Sequence, residues 1–489
     1  MEKPLFIKTL VKKKHYGSIK MANTLSLIFK ADKTRKFFWL FLSRVMPLVA
    51  LFLITIIYSR KLTYDDYGKF QSVWIYTNIV NVIISFGIAS VILSTDLDFL
   101  TAFIKNNRRK LILFYSALWI SGLVTFFFVA KNFNSSLKFL LIAFIITQNV
   151  ATAADNLLIK KGNEKISGII NFVYAFIFFG WHIYVLCTWY SLYHLVEGIT
   201  IISAARLMII LLIPLRKRET RVTVSNNQFL HHWGYLGLND TLGVLARWID
   251  KLFLLYLLSA GDFAIFFNGS IEIPLFALLV SVTGNFLSIE MSASLLQPKK
   301  MIKVYRESFH ILSNIVFPLF LFLFFFRADL FSLVFAHKYD ASLPIFVISI
   351  FILPLRINNY GVVLQCFSQG KRVLFGSLLD LFIAIILMII LYPLMGTKGV
   401  ALSVVISTYC QSLYYLWHSS RMLNSTILQL LPLKKLGIRF FKILALYLAL
   451  SFVLSGLGAP SRLIVAIAIT ASIVILGMIK YFHSYFNKI

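Results

Sequence analysis

Fourteen stretches of about 20 mostly apolar residues, each long enough to cross a bilayer as a helix, run along this chain, and the connections between them alternate between basic-rich and basic-poor. The stretches cover 37–58, 70–94, 111–130, 137–159, 166–189, 192–215, 233–258, 263–289, 309–326, 343–367, 373–392, 399–417, 438–454 and 463–482. Only Tyr190 and Ser191 separate the fifth from the sixth. Strands of a membrane barrel would give shorter segments of alternating polarity, so the expected fold is an all-α, polytopic membrane protein. Of 48 lysines and arginines, 34 lie in the N-terminal arm, the even-numbered connections with the span ends beside them, and the tail, nine in the odd-numbered connections with theirs, and five well inside the spans. Lysine and arginine collect in short loops on the cytoplasmic side, which predicts both termini in the cytoplasm of a multi-pass protein.

With 59% hydrophobic and 14% charged residues, the chain has too little polar surface for a soluble domain, in which about a quarter of residues are charged. The formal charge of +29 is spread around one membrane face instead of being gathered on a domain. It therefore reads as topology and attraction to anionic lipid, not as a nucleic-acid surface. Cys187, Cys366 and Cys410 stand in apolar stretches at unrelated spacings, which suggests neither a disulfide framework nor a metal site. The arm before residue 37 is too polar for a signal peptide, and 19–29 reads as a short interfacial helix. The phenylalanine-rich run from Phe320 to Phe326 reads as lipid-facing bulk.

Two connections carry the same signature. Leu62-Thr63-Tyr64-Asp65-Asp66-Tyr67-Gly68-Lys69-Phe70 follows the first span, and Leu258-Ser259-Ala260-Gly261-Asp262-Phe263-Ala264-Ile265-Phe266 follows the seventh. Both fit L-[ST]-x-x-D-[YF]-[GA]-x-F on the same face, six spans apart. The spacing predicts a duplicated six-helix unit with parallel halves and an appended thirteenth and fourteenth span. Transporters built from repeats place the substrate between the halves near the midplane.

Ionised side chains inside spans cost about 2.5–3.5 kcal/mol or more each, so they face a cavity or a partner. The basic ones are Arg44, Arg206, Arg247, Lys251 and Arg356; the acids at comparable depth are Asp240, Asp250, Glu272 and Asp380. Asp155, Glu197 and Glu290 lie nearer span ends. On a helix of 100° per residue, Asp240, Arg247 and Lys251 fall within about 40° of one another. Arg247 and Lys251 form a like-charge i,i+4 pair, which is unfavourable unless something anionic lies against it. Two readings stand: Asp240 and Asp250 neutralise the pair, or the stripe binds an anion in a central cavity. Pro47 bends the first span beside Arg44, and Pro354 precedes Arg356 in the tenth. His182, Asn81, Gln365 and Asn358-Asn359 read as interhelical hydrogen-bonding groups. No Walker A loop, HExxH or carboxylate pair backed by a soluble domain is present, so neither enzymatic activity, nor a cofactor, nor a metal is expected.

The fourteen spans, the basic arm and the segment from Leu62 to Phe70, with Tyr67-Gly68 directly after a span holding Arg44, resemble the bacterial polysaccharide flippases. These are the O-antigen and capsule repeat-unit translocases of the multidrug/oligosaccharidyl-lipid/polysaccharide exporter superfamily. The resemblance implies two six-helix lobes around a cationic cavity, with the last two helices at the side. The corresponding divisions are a basic arm (1–36), an N-lobe (37–215), a linker (216–232), a C-lobe (233–417) and a terminal pair with tail (418–489). It further implies that an undecaprenyl-diphosphate-linked oligosaccharide crosses the bacterial inner (plasma) membrane by alternating access. Arg44, Arg247 and Lys251 would hold the diphosphate, with Arg206 and Arg356 as further cavity cations. Membrane lipids and other membrane proteins of polysaccharide assembly are expected partners. The acids of span seven depart from a purely cationic lining. A cation-coupled drug antiporter, using Asp240, Glu272 and Asp380, is the first alternative. The second, a membrane-embedded glycan polymerase or ligase, would need a long outer loop, whereas the outer connections here are short.

Overall fold

The computed structural model describes residues 19–95, 97–130, 133–213, 226–271, 287, 291, 297–367 and 369–486. The arm before Ile19, most of the 216–232 linker, Glu272 and Glu290 therefore lie outside the described residues. The first half contains α1 (Ile19–Lys61), α2 (Tyr64–Ser85), α3 (Ile88–Ser94), α4 (Leu97–Asn106), α5 (Arg108–Val129), α6 (Ser135–Lys160), α7 (Glu164–Thr188) and α8 (Leu192–Leu211). After it come α9 (Asn226–Leu257), α10 (Ala260–Gly269), α11 (Pro298–Phe325), α12 (Arg327–Phe335) and α13 (Leu343–Ser349). A 3-10 segment, Ile350–Ile357, leads to α14 (Val362–Cys366), α15 (Gly370–Met395), α16 (Thr397–Met422), α17 (Ile427–Leu430), α18 (Leu433–Val453) and α19 (Ala459–Phe486). Eleven of the described helical segments are long and apolar enough to span a membrane. The chain is an all-α, polytopic membrane protein.

Local chemistry explains the breaks. Thr63 caps α2 by accepting from Asp66 N at 3.1 Å while its hydroxyl donates to the Asp66 carboxylate at 2.8 Å. Ser259 caps α10 in the same way through Asp262, at 3.1 and 2.7 Å. The repeat is thus a pair of matched helix starts, each with an acid at the positive end of the helix dipole. Ser191 caps α8, accepting from His194 N, and this separates the fifth and sixth spans. α2 and α3 are divided at Phe86 (φ 38) and Gly87 (φ 72), both left-handed, which breaks span two. α1 continues without interruption from Ile19 into the first span, instead of forming a separate 19–29 helix, because no proline or glycine stands between residues 29 and 37 to end it.

The packing repeats as well. α1 runs along α7 and α6 along α8; in the second half α9 runs along α15 and α13 along α16. α18 and α19 lie against α11. Arg439 donates to His310 O and Ser313 Oγ at 2.6 and 2.5 Å, and Arg462 pairs with Asp329 of α12 at 3.0 Å. This terminal pair corrects the reading of Phe320 to Phe326. Phe320, Phe322 and Phe326 are buried core, with Phe320 against Phe440 and Phe326 against Tyr447, because α18 and α19 occupy the place that lipid would otherwise take.

Candidate functional site

Span seven carries Arg247, Asp250 and Lys251 well inside its length, and this face of α9 borders a cavity of about 400 Å³. Gly243, Arg247, Asp250 and Lys251 line it from α9, Ser270 from the end of α10, Arg356 from the 3-10 segment, and Asp380 from α15. Proline at 354 has no N–H to give an α-helical ladder, and Asn358 is fully extended (φ −157, ψ 165), so the tenth span is broken beside the cavity. Broken helices of this kind mark ion and substrate sites in transporters.

The ionised groups are not equivalent. Lys251 Nζ pairs with Asp250 Oδ2 at 3.1 Å, both side chains being nearly sealed from solvent, and it lies over the Trp248 ring. Asp380 is within electrostatic reach of Arg356. Asp240 accepts from Ser90 Oγ at 2.5 Å and does not line this cavity. Arg247 is exposed, and no described residue forms a hydrogen bond or ion pair with it. Three cations against two acids give the lining a formal net charge of one positive.

Arg44 and Arg206 lie elsewhere. Arg44 Nη2 donates to Asn156 Oδ1 at 2.5 Å. Arg206 faces Asp155 at 3.9 Å and Gln148 at 3.5 Å, over the Tyr174 ring. Asp155 also accepts from Ser167 and Asn171. The structure thus gathers Arg247, Lys251, Arg356, Asp250 and Asp380 around one cavity in the second half and puts Arg44 and Arg206 in polar contacts of the first, on Asn156 and Asp155 respectively. A second cavity of about 270 Å³ shares Gly243, Arg356 and Gln411 with the first. Asn239, Ser270 and Gln411 escaped the sequence reading; polar groups within apolar spans were their only signal.

Two seams between the halves bracket this region. On the basic-poor face, Gly68 lies so close to Ala260 that an added Cβ would overlap the Ala260 carbonyl. Tyr67 Oη donates to Asn268 Oδ1 at 2.7 Å. Arg60, at the end of α1, donates to the carbonyls of Leu333 and Val334, while Lys338 donates to those of Ser59 and Leu62. Each half therefore supplies a cation to the carbonyl end of a helix in the other. On the basic-rich face, Gly87 meets Gly237 and Trp233 Nε1 donates to Phe86 O at 3.1 Å. Arg247 is ten residues, about 15 Å of helix, from Gly237.

A family model described as polysaccharide biosynthesis protein matches residues 57–344. Among solved structures, the chain is similar to a lipid II flippase, MurJ, in an inward closed conformation, with TM-score 0.60 at 14% identity over 93% of this chain and 99% of that one. It is also similar to an inward-facing multidrug resistance MATE family transporter of the MOP superfamily, with TM-score 0.56 at 14% identity over 78% and 98%. A MOP superfamily transporter from Pyrococcus furiosus, described as having a binding pocket of reverse polarity, gives TM-score 0.54 at 14% identity over 80% and 95%. No curated protein matches the chain. At these identities the solved structures establish a shared fold.

Proposed function

This chain belongs to the family of polysaccharide biosynthesis proteins, and on that premise we propose that it carries an undecaprenyl-diphosphate-linked oligosaccharide repeat unit from the cytoplasmic to the outer leaflet of the bacterial plasma membrane. The two halves rock against each other and open the second-half cavity to one face and then the other, with the basic-rich face in the cytoplasm as lysine and arginine placement favours. The observation that carries the proposal is Arg247, an ionised side chain inside a span, exposed to a cavity and unpaired among the described residues. A guanidinium left unpaired there costs several kcal/mol, and a phosphate oxygen pair fits its fork. Arg356 and Lys251 supply further positive charge, moderated by Asp380 and Asp250. Moving negative charge outward across a negative-inside membrane gains about 2.3 kcal/mol per charge per 100 mV. A cation antiporter would need a free carboxylate here; Asp250 is bound to Lys251, and Asp380 lies in the field of Arg356.

The test is Arg247→Ala in cells whose own repeat-unit flippase is deleted. Losing a charged hydrogen bond worth about 2 kcal/mol lowers surface polysaccharide about thirtyfold at unchanged membrane level of the protein, while lipid-linked repeat units accumulate. Arg247→Lys, which keeps the charge and loses the fork, falls between. Full export by Arg247→Ala overturns the proposal.

A further inference from the structure

The two cavities differ in chemistry. The first has five ionised side chains in its lining; the second has one, Arg356, at the border between them. Its own lining residues are instead amides, hydroxyls and tyrosines, among them Asn239, Asn358, Tyr360, Gln365, Ser412 and Tyr415. Gly376 leaves the space that the Tyr415 ring fills, and Tyr415 Oη is held by the Val373 carbonyl at 2.8 Å, so that wall is fixed. Gln365 is exposed and Asn239 half-buried, and neither side chain has a partner among the described residues. Asn358 is 3% exposed. Its Oδ1 accepts from Ser308 Oγ and Asn359 N, each at 2.8 Å, whereas its Nδ2 is buried with no partner among the described residues.

Phosphate oxygens only accept hydrogen bonds, whereas a sugar hydroxyl donates and accepts. The side-chain amides of Asn239 and Gln365 present an NH2 donor and a carbonyl acceptor side by side, so their carbonyls are idle or repulsive toward phosphate and useful toward a hydroxyl, while Asn358, its carbonyl taken, adds a donor. A buried polar group without a partner is costly, and a site built this way discriminates strongly in favour of the ligand that satisfies it. We propose that the second cavity, formed by α9, the broken tenth span and α16, is a glycan subsite. It receives the sugars next to the diphosphate and discriminates for the glycosylated carrier, with Asn239, Asn358 and Gln365 as its hydroxyl-binding residues. Arg356 stands where the sugar–phosphate junction falls. This assignment rests on the cationic reading of the first cavity for its orientation, and adds a recognition function that the cations do not supply.

The experiment compares binding of two probes to the full-length protein in lipid nanodiscs: undecaprenyl diphosphate alone, and the undecaprenyl-diphosphate-linked repeat unit extracted from cells that make it. The unaltered protein binds the glycosylated probe about tenfold more tightly, the worth of one or two satisfied hydrogen bonds. Asn239→Ala with Gln365→Ala removes that preference and leaves affinity for undecaprenyl diphosphate within about twofold, neither residue being in the first cavity. Equal binding of the two probes by the unaltered protein, a preference that survives in the double variant, or a parallel loss of both affinities overturns the glycan subsite. Unchanged binding of undecaprenyl diphosphate by Arg247→Ala fails the cationic reading instead, so the two failures are distinguishable.

Discussion

Gly68→Val is expected to open the seam on the basic-poor face and stop transport. The Cβ it adds would overlap the Ala260 carbonyl, a backbone atom that no rotamer change can move away. Overpacking costs about 1–3 kcal/mol even where side chains yield, and here relief requires α2 and α10 to separate. That separation pulls on the Tyr67–Asn268 hydrogen bond and on the crossed contacts of Arg60 and Lys338. A shift of about 3 kcal/mol changes the closed-to-open ratio about 150-fold, enough to turn a minor open state into the main one. The measurement is labelling of Ser270→Cys, a residue of the cavity lining, by a membrane-impermeant thiol reagent added from outside, with Cys187, Cys366 and Cys410 replaced by alanine. Labelling rises at least about tenfold in Gly68→Val, and surface polysaccharide falls to background. Gly180→Val is the control, since nothing stands within 4 Å of a Cβ added there; it leaves both readings unchanged. If labelling does not rise, this seam is not the outer closure.

How much of this was legible beforehand depends on whether the determinant was local. The spans, the alternation of basic connections and the cap signatures at Thr63 and Ser259 are local, and each could be read from neighbours in sequence. That the two signatures pack on one another across the seam could not be read, because Gly68 and Ala260 are brought together only by tertiary assembly. The division of span two at Phe86 had a glycine as its signal, but a left-handed phenylalanine is imposed by context, here the indole of Trp233 on its carbonyl. The ionised residues were recognisable one at a time from the cost of burying them, and their grouping was not. Helical spacing correctly put Arg247 and Lys251 on one face, yet it gave no means of knowing that Asp240 turns to Ser90 while Asp250 turns to Lys251. The tenth span read as one continuous apolar segment, and only its dihedral angles show the break at Asn358. The burial of Phe320 was hidden for the same reason: its cover, Phe440, comes from a helix far along the chain.

Asp155→Ala is expected to deplete the folded protein, and Asp155→Ala with Arg206→Met to restore it. Asp155 and Arg206 are 2% and 8% exposed, and they face each other at 3.9 Å from α6 and α8. Among the described residues, removing the carboxylate leaves Arg206 with the Gln148 oxygen and the Tyr174 ring, strips the Ser167 hydroxyl of its acceptor, and leaves Asn171 with Ser167 alone. Breaking a buried ion pair from one side costs about 3–5 kcal/mol, comparable to the whole stability margin of many proteins. Arg206→Met alone is milder, because Asp155 keeps those two donors. In the double variant the buried charges are gone and methionine fills most of the arginine's volume, a replacement that is often neutral or stabilising. Membrane levels and melting temperature of the purified protein separate the three variants in the order double variant, Arg206→Met, Asp155→Ala. Export by the double variant then decides what the first-half network is for. Because Arg206 does not line the charged cavity of the second half, the restored protein is expected to transport at close to the unaltered rate. A folded but inert double variant would instead place Arg206 on the substrate's path and extend the cationic site across both halves.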